Sequence, residues 1–592
     1  MANELWRDIV YTDVLQSEGF VVDYAVCTTY SMDMPTLLSV PFMLGTMCDL
    51  TEATMQSPHL ILEAVNRAAN KFAVFCNAGC IAVPATQSKL YALMERSVVQ
   101  VALPRKGAGF VNFHPKVWVV KETNPDTEEA QIKLVVMSRN LTCSTDLDVV
   151  CELVGKIGAE LASQKAQRKH APLVDFLRFL SNQTGEHTIR KHISNLCEDI
   201  NRIKNFDLDG SPFDDYNFFP MGIPAYNGYD RCLQQNILNH AAEMLVISPF
   251  VDMNVLYDMT SCSPQAKKTL ITRHASVKQG MLELFNHGVY APKEVLTDKA
   301  EKDTAVDLHE KVYFVRRIEG KQSRNHLFLG STNATRNGFE RNVEFLLHLQ
   351  FAPHKTSYEG FRSEIINDDK DCMFEQVTAI TDADGTKDDQ NSERDMRNAI
   401  DCIKQAQINC AGNAYSITIR CKDVQGITAY LCPLGCDAKE QTLANDMAFE
   451  GLKLEQLTEF YVLRVKDLRR VIKITTKGMP TDERDKAIFR SLINTKAKFV
   501  NYLAFMLTND VEQYILESQQ LEHDLLSGNA KEKEQIISTS LYEDMVRMAY
   551  TNPERIVAIG KIKDMADDSV VPKQFSDMYD TFTDALKQIK RL

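Results

Sequence analysis

The feature that most constrains this chain is a sequence pattern that occurs twice. The first copy has His114-Pro115-Lys116, Ser138-Arg139-Asn140 and Glu152, and the second has His309-Glu310-Lys311, Ser331-Thr332-Asn333 and Glu344. The histidine and the asparagine are 26 residues apart in the first copy and 24 in the second, and the asparagine and the glutamate are 12 and 11 residues apart. A single His-x-Lys is a weak motif, but three elements repeated at nearly equal spacing are hard to attribute to chance. We therefore interpret the two copies as the two halves of one site.

Each histidine precedes an apolar segment, Val117–Val120 in the first copy and Val312–Val315 in the second. Such short, β-branched and aromatic segments predict strands. Residues i and i+2 of a strand point to the same face, so the histidine and the lysine of each copy are expected to project together. Two ordinary buried strands are the alternative, but they do not account for the repeat.

The pattern resembles the phospholipase D superfamily, whose signature is His-x-Lys, then Asn, then an acidic residue, used twice in one site. The resemblance covers roughly residues 20–350. Many members carry an aspartate five residues after the lysine, where this chain has Lys121 and Arg316. In this respect the chain is more similar to the tyrosyl-DNA phosphodiesterase and nuclease branches than to the lipid-cleaving ones.

The resemblance implies catalytic roles for eight residues: His114, Lys116, Asn140, Glu152, His309, Lys311, Asn333 and Glu344. One imidazole attacks phosphorus to give a phosphohistidine and the other protonates the leaving oxygen, with His114 the expected nucleophile. The expected phosphate ligands are Lys116, Lys311, Asn140, Asn333, Ser138 and Ser331. Each glutamate is expected to hydrogen-bond the far nitrogen of an imidazole and fix its tautomer. No metal or other cofactor is expected, because the lysines supply the positive charge.

Strand and helix patterns alternate along the first 355 residues, which predicts the α/β class. We expect two duplicated phospholipase D-like α/β sandwich halves that form one active site, then a small β-rich region and an α-helical C-terminal region. The expected boundaries are 1–165 for the first half, 166–241 for a mainly helical connector, 242–355 for the second half, 356–400 for an acidic linker, 401–480 for the small β-rich domain and 481–592 for the helical C-terminal domain.

Composition indicates where such a protein works. An apolar content of 44% and a charged content of 25% are typical of globular proteins. The longest apolar run is far too short to span a bilayer, and the first residues lack a secretory pattern. Fifteen cysteines without a dense framework suit a reducing compartment. These features predict a cytoplasmic protein without stable membrane insertion.

The net charge of −13 argues against a non-specific coat on DNA, although a local basic groove is compatible with it. The leading interpretation is a metal-independent phosphodiesterase, namely a nuclease or endonuclease that cleaves DNA in preference to RNA. A bacterial restriction or anti-phage defence system is the expected setting, with partner proteins docking on the C-terminal region. The alternatives are a tyrosyl-DNA phosphodiesterase-like end-processing enzyme, a phospholipase D-type lipid hydrolase and a catalytically inactive nucleic-acid-binding module.

Overall fold

The computed structural model describes most of the chain. The described residues are 14–45, 58–68, 70–105, 109–144, 146–226, 241–293, 307–319, 322–367, 372–379, 387–412, 414–507, 541–550 and 553–588. They form several sheets and helices in mixed order, so the α/β class expected from the sequence is confirmed.

The first part of the chain forms one large sheet. Its strands and the two short strands beside it are β1 (Val21–Thr29), β2 (Met32–Asp33), β3 (Phe72–Asn77), β4 (Ile81–Ala82), β5 (Val98–Val101), β6 (Val117–Thr123), β7 (Ala130–Met137) and β8 (Val150–Lys156). Six of them pair in the order β5-β3-β1-β6-β7-β8. The first three run parallel to one another, and β6, β7 and β8 each pair antiparallel with the preceding strand of that order.

A second sheet of eight strands follows. Its strands are β9 (Asp215–Met221), β10 (Ala241–Ile247), β11 (Lys267–Ile271), β12 (Val289–Pro292), β13 (Val312–Glu319), β14 (Gln322–Gly330), β15 (Glu344–Phe351) and β16 (Phe374–Gln376). The order is β16-β12-β11-β10-β13-β14-β15-β9. The six inner strands therefore repeat the order and the strand directions of the first sheet.

Two strands of the second sheet come from segments for which the sequence predicts no strand. β9 lies in the expected helical connector and pairs antiparallel with β15. β16 lies in the expected acidic linker and pairs antiparallel with β12. Both occupy edges of the sheet, where a strand needs only one partner and its sequence signal is correspondingly weak.

The two sheets enclose a common core, and both faces of each sheet are buried. Val26 of β1 faces the core between the sheets, whereas the next residue, Cys27, faces the opposite side. Leu245 and Val246 of β10 divide in the same way. Burial on both faces explains why these strands are continuous apolar runs rather than alternating ones.

The helices cover the outer faces and one side of the central core. They are α1 (Met34–Gly45), α2 (Pro58–Arg67), α3 (Gln164–Ser181), α4 (His187–Ile200), α5 (Met253–Ser261), α6 (Gln279–Leu284), α7 (Arg336–Glu340), α8 (Tyr358–Ile365), α9 (Lys387–Cys402), α10 (Thr481–Leu492), α11 (Lys496–Leu507), α12 (Pro553–Met565) and α13 (Lys573–Gln588). Residues 541–550 are also helical. None of the helices that the structure describes is long and apolar enough to cross a membrane.

The C-terminal third contributes strands to two further sheets. Its strands are β17 (Ile403–Ala411), β18 (Ala414–Cys421), β19 (Tyr430–Pro433), β20 (Gln441–Thr442), β21 (Asp446–Leu452), β22 (Phe460–Val465), β23 (Leu468–Lys473) and β24 (Thr476–Lys477). One sheet has the order β21-β18-β17-β24, and the other has the order β2-β4-β23-β22-β19-β20. The second of these sheets thus joins strands from the two ends of the chain.

The C-terminal helices pack on the first large sheet. Phe499, Tyr502 and Ile559 belong to the same buried cluster as Trp118 of β6. Arg484 is fully buried near this contact, and its Nη1 lies 2.6 Å from Glu95 Oε2. The C-terminal region therefore shares a core with the first half, and removal of residues 400–592 would expose that core to water.

Candidate active site

On one side of the site, His114 is held against the second half by backbone bonding. Phe113 and Val343 form a parallel bridge, and the His114 N–H donates to the Val343 carbonyl at 2.8 Å. The residue after Val343 is Glu344, the first residue of β15. Its Oε2 lies 2.8 Å from His114 Nδ1, so the imidazole of one half hydrogen-bonds the carboxylate of the other.

His309 is held by the equivalent arrangement on the other side. Leu308 and Leu147 form a parallel bridge, and the His309 N–H donates to the Leu147 carbonyl at 3.0 Å. The residue after Leu147 is Asp148, which therefore occupies the place that Glu344 has opposite His114. His309 Nδ1 lies 3.0 Å from the carbonyl oxygen of Ser138, so this imidazole contacts the backbone of the first half.

A serine binds each of these acids. The Ser331 hydroxyl donates to Glu344, and the Ser138 hydroxyl donates to Asp148. Each serine oxygen also accepts the N–H of the residue after the acid, at 2.9 Å for Ser331 and 3.1 Å for Ser138. The serines of the repeated motif thus fix the two carboxylates.

A glycine before Ser331 allows the backbones of β14 and β15 to approach each other closely. The preceding residue, Gly330, has a φ of 148°, and a Cβ at this position would collide with the backbone oxygen of Phe345. Glycine adopts this conformation without the steric cost that other residues carry.

Glu152, an expected member of the site, does not join these residues. It lies inside β8 opposite Val135, and its carboxylate is 3.3 Å from Lys133 Nζ. Its side chain is 36% exposed. The equal spacing of the two copies suggested Glu152, but the serine and the acid that it binds are 10 residues apart in the first copy and 13 in the second, so the acid at the site comes earlier in the first copy. An acidic residue that immediately precedes an apolar strand, as Asp148 does, is the signal that could have found it.

Both motif lysines are buried beside their histidines. Lys116 and Lys311 are each 1% exposed. Lys116 Nζ donates to the His114 carbonyl at 3.0 Å and lies 3.1 Å from His114 Nε2. Lys311 Nζ donates to the His309 carbonyl and lies 3.3 Å from His309 Nδ1. Burial lowers the pKa of both lysines, that of Lys311 to about 8.

The electrostatics couple the two halves. Burial is the main cause that lowers the pKa of His114, to about 4, and Glu344 opposes this effect. Burial also lowers the pKa of His309, to about 2, with further lowering by Lys311 and Lys116. The lysine of each half thus lowers the pKa of the histidine of the other half, as expected for one shared site. Both imidazoles are neutral at pH 7 before an anion binds.

The neighbouring acids carry raised pKa values. Burial raises the pKa of Asp148 to about 6, while hydrogen bonding by Ser138 and the charge of Lys311 lower it. Burial likewise raises the pKa of Glu310 to about 8, with a further contribution from Asp148. The His309 side of the site therefore contains two carboxyl groups, one from each half, that titrate within the physiological range or close to it.

The two asparagines follow the serines in equivalent turns. The carbonyls of Asn140 and Asn333 accept the N–H of Thr142 at 2.9 Å and of Thr335 at 2.7 Å. Among the described residues, the buried Oδ1 of Asn333 has no hydrogen-bond partner. The side-chain carbonyl oxygen of Asn333 is therefore an unpaired acceptor in this part of the structure.

A polar chain connects Glu344 to the C-terminal third. Asn342 Nδ2 donates to Glu344 Oε1 at 3.1 Å, and Asn342 Oδ1 accepts the N–H of Asn112 at 3.2 Å. Arg397 of α9 donates to the side chain of Asn112. The sequence pattern does not indicate Asn112, Asn342 or Arg397, because none of them belongs to the repeated motif.

An aromatic ring forms a wall of the His114 side. The Tyr30 ring centroid lies 5.0 Å from that of His114, and Lys116 Nζ lies 6.0 Å from the same ring. Burial raises the pKa of the Tyr30 hydroxyl well above its ordinary value. Tyr30 is therefore neutral, and its ring supplies an apolar surface to the site.

The described residues contain no group of three or more histidine, cysteine, aspartate or glutamate side chains that could hold a metal ion. Cys76, Cys80, Cys432 and Cys436 are buried free thiols.

No family model matches the chain, and no curated protein matches it. Two solved structures are similar to parts of this chain. Yeast tyrosyl-DNA phosphodiesterase is 11% identical, with a TM-score of 0.34 over 60% of this chain and 88% of that protein. NucT from Helicobacter pylori is 18% identical, with a TM-score of 0.20 over 25% of this chain and 95% of that protein. Both TM-scores are below 0.5.

Proposed function

We propose that this chain is a metal-independent phosphodiesterase that cleaves nucleic acid, DNA in preference to RNA, through a phosphohistidine. The observation that carries the proposal is the meeting of two His–Lys pairs from sheets of the same strand order. His114 Nδ1 is bonded to Glu344 across the halves at 2.8 Å, and each lysine acts electrostatically on the opposite histidine. The matching strand orders support a duplicated unit, with each copy supplying half of the site.

His114 is the proposed nucleophile. Its Nδ1 faces the Glu344 carboxylate, so Nδ1 carries the proton and the lone pair lies on Nε2. Buried Glu344 stabilises the positive charge that develops on the imidazole during attack, as the acid of a catalytic triad does. In the first step Nε2 forms a bond to phosphorus, and the bond between phosphorus and the leaving oxygen breaks.

His309 is the proposed general acid and base. Its Nδ1 faces the Ser138 carbonyl, so Nε2 is the nitrogen that exchanges protons with substrate. Binding of an anionic phosphate raises the pKa of this imidazole and allows it to take up a proton. The protonated Nε2 gives this proton to the leaving oxygen. It then removes a proton from water, whose oxygen attacks phosphorus and breaks the bond to His114.

The two lysines and the asparagines stabilise the phosphate. Lys116 and Lys311 are buried, so their charges act in a medium of low dielectric constant, where they stabilise developing charge more than they would in water. Asn140 and Asn333 can donate amide N–H groups to the same oxygens. We assign to Asp148 the place that the sequence pattern assigns to Glu152, because Asp148 is bonded to Ser138 as Glu344 is to Ser331.

The proposal is tested with five substrates in excess EDTA: single-stranded DNA, duplex DNA, RNA, an oligonucleotide with a 3′-phosphotyrosine, and phosphatidylcholine vesicles. We expect cleavage of nucleic acid that persists in chelator and is absent in His114→Ala. Release of tyrosine alone would instead support an end-processing enzyme, and release of choline alone a lipid hydrolase. Binding of nucleic acid without cleavage would support an inactive binding module.

A role in bacterial restriction or anti-phage defence, with partners docking on residues 401–592, is a further part of the proposal. It is tested by phage plating on a bacterial host that expresses the chain or its His114→Ala variant. Equal plating on both would contradict the defence role and leave the chemistry unaffected.

A further inference from the structure

The loop after β10 is fixed beside the candidate active site. Ser248 Oγ donates to the Phe250 carbonyl at 2.8 Å and accepts the N–H of Ala334 at 2.9 Å. The Asp252 N–H donates to the Ala334 carbonyl at 2.9 Å. Ala334 directly follows Asn333, so these bonds attach the loop to the turn that carries a motif asparagine.

Phe250 is exposed although its backbone is held. Phe250 is 49% exposed, although its carbonyl accepts the hydrogen bond from Ser248. A single exposed apolar side chain needs no explanation by itself. Here a second observation accompanies it, because the guanidinium of Arg273 lies 4.5 Å from the Phe250 ring centroid.

Arg273 is itself fixed toward the site. Its Nε lies 2.9 Å from Asp307 Oδ1, and Asp307 is two residues before His309. The Asp307 carbonyl also accepts a backbone N–H in the bridge that holds His309. Phe250, Arg273 and Asp307 therefore form a series of contacts that leads from an exposed aromatic face to the proposed general acid.

The first half also has a phenylalanine ring beside arginine side chains, but that ring is less exposed than Phe250. Phe110 lies four residues before His114, and its half-buried ring is approached by the guanidinium groups of Arg105, at 4.3 Å, and Arg397, at 5.2 Å. Arg397 donates a hydrogen bond to Asn112, two residues before His114, and Arg273 forms an ion pair with Asp307, two residues before His309. Phe250 has one such cation among the described residues and more open surface, so it can accept a flat ligand on its other face.

We propose that Phe250, backed by Arg273, is a nucleobase-stacking subsite on the His309 side of the scissile phosphate, and that the substrate is single-stranded there. This inference rests on the proposed function. Aromatic side chains bind bases of any sequence by stacking, and arginine adds a cation–π contribution. A base within a duplex has both faces covered by its neighbours, whereas an unpaired base can stack on Phe250. His309 protonates the leaving oxygen, so the base that stacks belongs to the leaving nucleotide.

The test uses a single-stranded oligonucleotide with one normal phosphodiester, the other linkages being phosphorothioates. Two matched versions carry an abasic deoxyribose on the leaving or on the retained side of that linkage. On the substrate in which every nucleotide carries its base, Phe250→Ala should lower kcat/KM about ten-fold, in line with the contribution of one stacked base. It should have little effect when the leaving nucleotide is abasic, because the base that it contacts is already missing.

Three variants separate stacking from folding. Phe250→Tyr keeps the aromatic face and should retain activity, whereas Phe250→Leu keeps apolar volume without the ring and should behave as Phe250→Ala does. Tyr257→Ala, which removes a 61% exposed aromatic ring from α5, should leave kcat/KM unchanged. Unfolding temperatures of all variants are compared with that of the unchanged protein.

If Phe250→Ala lowered kcat/KM equally on the complete substrate and on the substrate with an abasic leaving nucleotide, the subsite would be overturned. So would a loss that disappears only with the abasic sugar on the retained side, since this would place the base near His114. Absence of nucleic-acid cleavage by the unchanged protein would overturn the proposed function, and the subsite with it.

Discussion

His114 of the first half and Glu344 of the second are joined by a hydrogen bond of 2.8 Å between Nδ1 and Oε2. Glu344 is fully buried, and Ser331 and Asn342 also donate to it. The contact orients the imidazole and determines which nitrogen carries the proton. Neither half alone contains both partners, so the geometry of the proposed nucleophile depends on the packing of the two halves.

The first prediction concerns this contact. Glu344→Gln keeps the shape of the side chain but removes the charge that stabilises the developing imidazolium. We expect kcat to fall by about 10²–10⁴-fold, with a smaller change in KM. The control is Glu152→Gln, which removes a carboxylate bonded to Lys133 and should retain nearly full activity. A large loss in Glu152→Gln with little loss in Glu344→Gln would contradict the geometry described here.

The second prediction concerns pH. Burial lowers the pKa of Lys311 to about 8, and the Asp148 carboxylate opposes this lowering. Lys311 is therefore charged below about pH 8 and neutral above it, and kcat/KM should fall as the pH rises through that value. In Asp148→Asn the opposing charge is absent, so the fall should begin at a lower pH. An alkaline limb that does not move in Asp148→Asn, measured from pH 5 to 10, would contradict the assignment of Asp148.

The repeated motif indicated four side chains that lie close together in the structure. His114, Lys116, His309 and Lys311 lie together, as the i and i+2 positions beside buried strands suggest. The roles of these residues remain predictions. Asp148 was missed because the serine and the acid that it binds are 10 residues apart in the first copy and 13 in the second, and equal spacing led instead to Glu152.

The contribution of the C-terminal third was not evident from the sequence. Arg397 reaches the site through Asn112, a contact between residues 285 positions apart that no local pattern encodes. Likewise, short runs such as Ile81–Ala82 carry no signal that they will share a sheet with β23. Tertiary packing decides both contacts, and it joins regions that the sequence divides into domains.

The third prediction tests this packing. Arg484 and Glu95 are fully buried and form an ion pair of 2.6 Å, and Thr458 also donates to Glu95. Replacing Arg484 with Met leaves a buried carboxylate without its cation, which should lower the free energy of unfolding by about 3–5 kcal/mol. The double variant Glu95→Gln/Arg484→Met should recover part of this loss, and urea unfolding of both measures it. Unchanged stability in the single variant would contradict the buried contact between the C-terminal region and the first half.

The fourth prediction concerns the unequal roles of the two histidines. A good leaving group needs little protonation, so a nitrophenyl phosphodiester should restore the first step in His309→Ala but not in His114→Ala. The burst of nitrophenol in stopped flow measures this step. A burst in His114→Ala and none in His309→Ala would reverse the assignment of nucleophile and acid.

The central claim is that His114 forms a covalent bond to phosphorus. The most direct test is to mix substrate carrying a labelled scissile phosphate with each variant, stop the reaction in alkaline denaturant that preserves phosphorus–nitrogen bonds, and map the label by peptide mass spectrometry. We predict label on His114 in the unchanged protein, more of it in His309→Ala with the nitrophenyl substrate, and none in His114→Ala. Label on His309 in His114→Ala, or turnover without label on any variant, would contradict the account.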